Sequence, residues 1–206
     1  MSDVAPREFW EQLYGGREQV WSGRVNATLA REVDGVPPGR ALDLGCGEGG
    51  DALWLAERGW DVVAVDISRT ALDRAEAEAA RRGLTVDFRR HDLADGVPPG
   101  PYDLVSAQFF QSPVELPREQ VLRQAAAEIA PGGVLLVVGH AAPPPWSAHQ
   151  PDPALMPPAA EVLRSLALGN EWDVVRADDV LRDATGPDGK QAQLLDSVVL
   201  LRRRPD

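Results

Sequence analysis

Short apolar runs alternate with amphipathic stretches along most of this chain. ALDLG at 41–45 is a continuous apolar strand, bounded by Pro37-Pro38-Gly39 before it and glycines after it. VVAVD at 62–66 predicts a second strand, VDFRRHD at 86–92 alternates like a third, and YDLVSAQ at 102–108 makes a fourth. GGVLLVVGH at 132–140 supplies the fifth and most hydrophobic. Between them, DALWLAERG predicts a helix stopping at Gly59, and Ser68 and Gly83 bracket another over about 70–82. Residues 117–129 read as a crossover helix, and two more helices, 7–15 and 24–33, precede the first strand. Strands separated by helices in this way predict a parallel sheet covered on both faces.

The end of the chain breaks the rhythm. A Pro-rich loop, 143–158, and a helix near 159–169 lead to WDVVRADDVLR, a polar loop holding Gly186 and Gly189, and LLDSVVLLRR. That loop has no room for a crossover helix, so the last two strands are expected to pair antiparallel. The whole reads as one domain, 1–206, with a helical lead-in over 1–36 and a doubly wound α/β core over 38–204.

Composition narrows the function. The formal net charge of −11 disfavours a phosphate backbone as partner, so nucleic acid is not expected. One cysteine, Cys46, precludes an intramolecular disulfide and a thiolate-rich metal site. The histidines His91, His140 and His149 show no compact metal spacing, and no metal is expected. No apolar run is long enough for a membrane span, and the opening segment MSDVAPREFWEQLYGG is unlike a signal peptide. A cytoplasmic enzyme, monomeric or homodimeric, is the expectation.

The informative stretch is 41–68, ALDLGCGEGGDALWLAERGWDVVAVDIS. Gly45, Gly47 and Gly49 follow a buried strand and open a helix, permitting a tight turn, close approach by a ligand and access to free amide hydrogens. Asp66 ends the next strand, where a carboxylate can accept both hydrogen bonds of a ribose diol. Gly45, Gly47 and Gly50 equally satisfy the dinucleotide pattern, leaving a nicotinamide-dependent oxidoreductase open. The acids Asp43 and Glu48 at the turn suit a cationic sulfonium better than a pyrophosphate.

Asp43, Leu44, Gly45, Gly47 and Gly49 resemble the first motif of the class I S-adenosylmethionine-dependent methyltransferases. Asp66, Asp92 after the third strand, YDLVSAQF at 102–109, PGG at 131–133 and the closing strand pair extend the resemblance over roughly 38–204. FWEQLYGGREQVWSGRVNATL is similar to the lead-in of the small bacterial enzymes allied to tellurite-resistance and thiopurine methyltransferases. The resemblance implies a Rossmann-like, seven-stranded, mostly parallel sheet with an antiparallel C-terminal strand and helices on both faces. It also implies S-adenosylmethionine as cofactor, S-adenosylhomocysteine as product and a small-molecule methyl acceptor.

On that footing the expected cofactor-binding residues are Trp21, Asp43, Gly45, Cys46, Gly47, Gly49, Asp66, Ile67, Asp92, Leu93 and Gln108. Each has a plainer alternative: a strand-to-helix turn for the glycines, helix capping for Asp66, ordinary packing for Cys46 and Trp21, and competition from Asp95 for Asp92. Phe109, Phe110, Trp146 and His149 are expected around the acceptor. No His-Asp pair for proton transfer is readable in the sequence. A thiol or amine acceptor needs no strong base; an alcohol or amide does, with His140 the first candidate and Tyr14 the second. A binding protein that holds the cofactor without transferring from it is the remaining alternative.

Overall fold

The computed structural model describes residues 4–147, 152–186 and 188–205. In chain order the elements are α1 (Pro6–Gly15), α2 (Ala27–Glu32), β1 (Arg40–Leu44), α3 (Gly50–Glu57), β2 (Asp61–Asp66), α4 (Arg69–Arg82) and β3 (Asp87–Arg90). There follow β4 (Tyr102–Gln108), α5 (Arg118–Ala127), β5 (Ile129–His140), α6 (Ala159–Leu166), β6 (Trp172–Thr185) and β7 (Gln191–Arg203). The seven strands form one sheet in the order β3-β2-β1-β4-β5-β7-β6. The first five are mutually parallel, and β7 runs antiparallel between β5 and β6.

The period-two alternation of the strands divides the core into two layers. Leu42, Leu44, Val63, Val65, Val105 and Leu135 face α5 and α6 through Val121, Leu122, Val162 and Leu166. Ala41, Val62, Ala64, Leu104 and Leu136 face α2 and α3 through Leu29, Ala52 and Leu55. The strands are apolar on both faces because both faces are covered.

One helix boundary differs from expectation for a physical reason. The helix expected over 24–33 begins only at Ala27, because Asn26 is tied in an extended conformation to Asp51 by two bonds of 2.7 Å. α4 starts where expected, its N-cap Ser68 accepting from Ala71 N at 3.2 Å. Glu11 of α1 also reaches that helix end, accepting from Arg69 N at 2.6 Å and Ser68 Oγ at 3.1 Å. A carboxylate on unpaired first-turn amides is favourable, and this one docks the lead-in onto the core.

β1 lies between β2 and β4, so the chain leaves it in opposite directions on its two sides. In such sheets the crevice beyond the carboxyl ends of the strands, at the reversal, is where ligands bind.

Candidate functional site

A cavity of about 1040 Å³ occupies that crevice. Its floor is the turn after β1, where Gly45, Gly47 and Gly49 have φ of 67°, 54° and 82°. These left-handed values favour glycine, and the space a Cβ would need is taken at all three positions, by Ala75 at 2.8 Å in the case of Gly49. A Cβ on Gly45 would stand 3.0 Å from the Phe110 ring, and one on Gly47 would stand 2.9 Å from the Tyr14 hydroxyl and 3.4 Å from the Trp21 ring. Gly47, Tyr14 and Trp21 are therefore one contact, with the lead-in lying over the turn.

That closure is held by a small polar network. Trp21 Nε1 donates to the Tyr14 hydroxyl at 2.9 Å. Glu48 accepts from Trp21 N at 2.8 Å and Val20 N at 3.1 Å, and Arg74 Nη1 meets it at 2.7 Å. Arg74 also donates to the Tyr14 and Arg17 carbonyls. Glu48 thus latches the lead-in and, although it lines the cavity, has its charge paired by Arg74.

Among the acids that line the cavity beside the turn, Asp43, Asp51 and Asp66 are buried and none of the three is ion-paired among the described residues. Asp66 Oδ2 accepts from Gly47 N at 2.8 Å and Oδ1 from Ser68 N at 2.9 Å. Burial outweighs those bonds and pushes its carboxyl up to about 6. Burial, and then the neighbouring charges of Asp51 and Asp66, raise Asp43 well above the ordinary carboxylate range. Asp51 is raised by burial against the bonds from Asn26. Two buried acceptors lining the cavity, Asp43 Oδ2 and Gln108 Oε1, have no hydrogen-bond partner. Unpaired buried acceptors beside raised carboxyls describe a site for a cation with N–H donors.

The other expected cofactor residues fall around the same space. Cys46, Ile67, Asp92 and Leu93 line it, while Gly49 is the left-handed residue ahead of α3 and lies against Ala75. Asp92 also accepts from Ala94 N at 3.0 Å, capping a short 3-10 turn. Trp21 lines the cavity with half its surface still exposed. The Cys46 thiol is pushed well up by burial and by Asp66 and Asp43, against a nucleophilic role.

Much of the remaining lining is aromatic and aliphatic, with Phe9, Trp10, Leu13, Phe110, Leu155 and Met156. His140, the last residue of β5, lines the cavity too. Its ring lies 4.5 Å from that of Phe109, and its Nδ1 is 3.0 Å from Asp196 Oδ1. Asp196, fully buried on β7, pairs with His140 in the strand register, and its other oxygen accepts from Arg182 Nε at 2.6 Å. Burial alone would raise this carboxyl; the bonds from His140 and Arg182 outweigh it and hold it low. Gln111 fixes the backbone beside the ring, accepting from His140 N at 2.7 Å and donating to His140 O at 3.1 Å.

Two expectations need correction. Tyr14 is the second candidate base, but its hydroxyl sits over Gly47 and accepts from Trp21, and burial followed by the Asp66 charge raises it far from a useful base. Trp146 does not line the cavity; it packs against Gly186 at the tip of the β6–β7 hairpin. His149 lies outside the described residues. The residues that sequence reasoning missed are Asp196, Arg182, Glu48, Arg74 and Gln111. Only Asp196 carried a readable signal, a lone acid inside the apolar run LLDSVVLL.

Residues 41–133 match the family model described as a methyltransferase domain. A 2-heptyl-1-hydroxyquinolin-4(1H)-one methyltransferase of Mycobacteroides abscessus is 40% identical over 175 residues, covering 76% of this chain and 75% of that protein. Among solved structures, the N-methyltransferase NodS of Bradyrhizobium japonicum, in complex with S-adenosylhomocysteine, shares the fold with a TM-score of 0.70 at 16% identity, over 96% of this chain and 97% of that one. TehB of Haemophilus influenzae does so at 0.69 and 17%, over 95% of this chain and 67% of that one. A glycine-rich turn lined by carboxylates, in a sheet of this order, together with that sequence identity, has one reading: the chain belongs to the class I S-adenosylmethionine-dependent methyltransferases.

Proposed function

We propose that the protein transfers a methyl group from S-adenosylmethionine to the hydroxyl of an apolar, aromatic small molecule, with His140 as general base. The observation that carries this is the His140–Asp196 pair at the apolar end of the cavity. An ionised Asp196 keeps hydrogen on Nδ1 and leaves the Nε2 lone pair to accept a proton.

The cofactor fits the residues present. The unpartnered Asp43 Oδ2 and Gln108 Oε1 suit the ammonium of its amino-acid part, and Asp66 suits the ribose diol. Leu93 and Asp92 would lie along the adenine. When bound, the cofactor supplies an electrophilic methyl group on a good leaving group. The protein's share is alignment, exclusion of water and removal of the acceptor's proton. Tyr14, Trp21 and the latch through Glu48 and Arg74 close the turn against water. Phe109 and Phe110 offer flat apolar surface to the acceptor, and His140 takes the hydroxyl proton as the carbon–oxygen bond forms.

The Mycobacteroides relative, whose named substrate is a bicyclic heteroaromatic bearing a hydroxyl and an alkyl chain, supports this acceptor class. The volume of the cavity supports it as well, lying at the upper end of the range for single small-ligand pockets and so leaving room for two ligands. The test is mass-spectrometric detection of O-methylated product from 2-heptyl-1-hydroxyquinolin-4(1H)-one and from matched amines and thiols. Methylation of amines alone, unaffected by His140→Ala, would refute the reading.

A further inference from the structure

The two ends of the cavity differ in charge. Asp43, Asp51, Asp66 and Asp92 line the end assigned to the cofactor. The two lining arginines are Arg24, exposed and with its backbone against Gly50, and Arg182, which lies by Phe109; the lining Glu115 is exposed. Arg182 does more than neutralise Asp196. Its Nε donates to Asp196 Oδ2 at 2.6 Å, which tethers the guanidinium to β7. Its carbon lies 5.7 Å from the centre of the Phe109 ring, the ring that also faces His140. The two terminal NH₂ groups donate no hydrogen bond to any described residue. Arg182 lines the cavity with Phe109 and His140, and a guanidinium tethered through one nitrogen with its terminal donors uncommitted can bind an oxygen. His140 and Arg182 hold the two oxygens of one carboxylate, and both line the cavity.

We infer that Arg182 selects the acceptor by binding a second oxygen on it, a carbonyl or an ionised hydroxyl, separate from the hydroxyl that faces His140. The inference rests on the acceptor class proposed above and narrows it to aromatic compounds with two oxygens. Arginine suits the place because one side chain serves Asp196 and the ligand together. A lysine there would keep the charge beside Asp196 but has no second donor set in a fixed plane.

The test is calorimetric binding of 1-hydroxyquinolin-4(1H)-one and of 1-naphthol, a bicycle with one oxygen, to the protein saturated with S-adenosylhomocysteine. Arg182→Gln and Arg182→Lys are compared with the unmodified chain, an unchanged S-adenosylhomocysteine affinity serving as the check on folding. Both variants are expected to weaken the two-oxygen compound about tenfold or more, the worth of one charge-assisted hydrogen bond, and 1-naphthol less than about threefold. Recovery by the lysine variant, or an equal loss for both compounds, would show that Arg182 acts only through Asp196 and would overturn the inference. Binding of neither compound by the unmodified chain would instead remove the acceptor class itself, and the inference with it.

Discussion

Replacing Asp196 with Asn puts the proposed base to a sharp test. The carboxylate accepts from His140 Nδ1 at 3.0 Å and from Arg182 Nε at 2.6 Å, and has no solvent exposure. An amide in its place has one acceptor and one donor. Arginine has no lone pair, so the amide oxygen must stay on Arg182 and the NH₂ must face His140. Nδ1 then becomes the acceptor and the hydrogen moves to Nε2, which can no longer take a proton. General base catalysis is worth about 10²- to 10⁴-fold, so kcat should fall at least about 100-fold on an acceptor whose hydroxyl is un-ionised at the assay pH. That corresponds to about 2.7 kcal/mol at the barrier. Stability should suffer less: both hydrogen bonds persist but lose their charge assistance, about 1 kcal/mol each. For a domain of this size that lowers Tm by roughly 4–8 °C. The assay is steady-state methyl transfer at a pH below the acceptor's own pKa, with S-adenosylhomocysteine affinity as control. A variant that binds the product normally and retains kcat within about threefold would refute His140 as base.

Other outcomes follow from the cofactor end. Asp66 titrates near 6 in the fold against an ordinary 3.8, so its contribution to stability is full below about pH 4 and lost as pH rises through 6, about 3 kcal/mol in all. Denaturant midpoints should therefore vary less between pH 4 and 7 in Asp66→Asn than in the unmodified chain; an unchanged pH dependence would contradict the burial argument. S-adenosylhomocysteine, bound by the ionised form, should lose affinity by up to about tenfold per unit below pH 6, and a flat profile in calorimetry would exclude Asp66 as the ribose acceptor. Gly47→Ala meets a φ of 54° and the Tyr14 hydroxyl at 2.9 Å; it should cost about 1–2 kcal/mol in thermal unfolding and more than about tenfold in product affinity. With its thiol pushed up by burial and by Asp66 and Asp43, Cys46 should react with iodoacetamide at pH 8 at less than about a tenth of the rate of the urea-unfolded chain, and equal rates would show an accessible thiolate.

The sequence made some of this legible and hid the rest for a definable reason. Patterns with a local period, such as the apolar strands, Ser68 and Gly83 around α4, and the glycines after β1, stand within a few residues of one another and were readable. β4 spans Tyr102–Gln108 as expected. The His140–Asp196–Arg182 constellation depends instead on strand register. His140 meets Asp196 fifty-six residues later only because β7 inserts antiparallel beside β5. Arg182 joins them from β6, two residues along from Val180, which stands opposite Asp196. Glu48 shows the complementary error. Its position in the glycine motif suggested a free charge in the cavity; it does line the cavity, but Arg74, one turn into α4, pairs it and ties it to the lead-in. Side-chain direction at a turn is set by partners from elsewhere in the chain.

The account stands most directly on the cavity over Gly45–Gly49 holding an S-adenosyl ligand. Calorimetric titration with S-adenosylhomocysteine and with NADH, on the unmodified chain and on Asp66→Ala, measures this. The account predicts micromolar binding of the first, at least tenfold weaker in the variant, and no heat from the second. Binding of NADH alone would contradict it and return the glycine turn to the dinucleotide class.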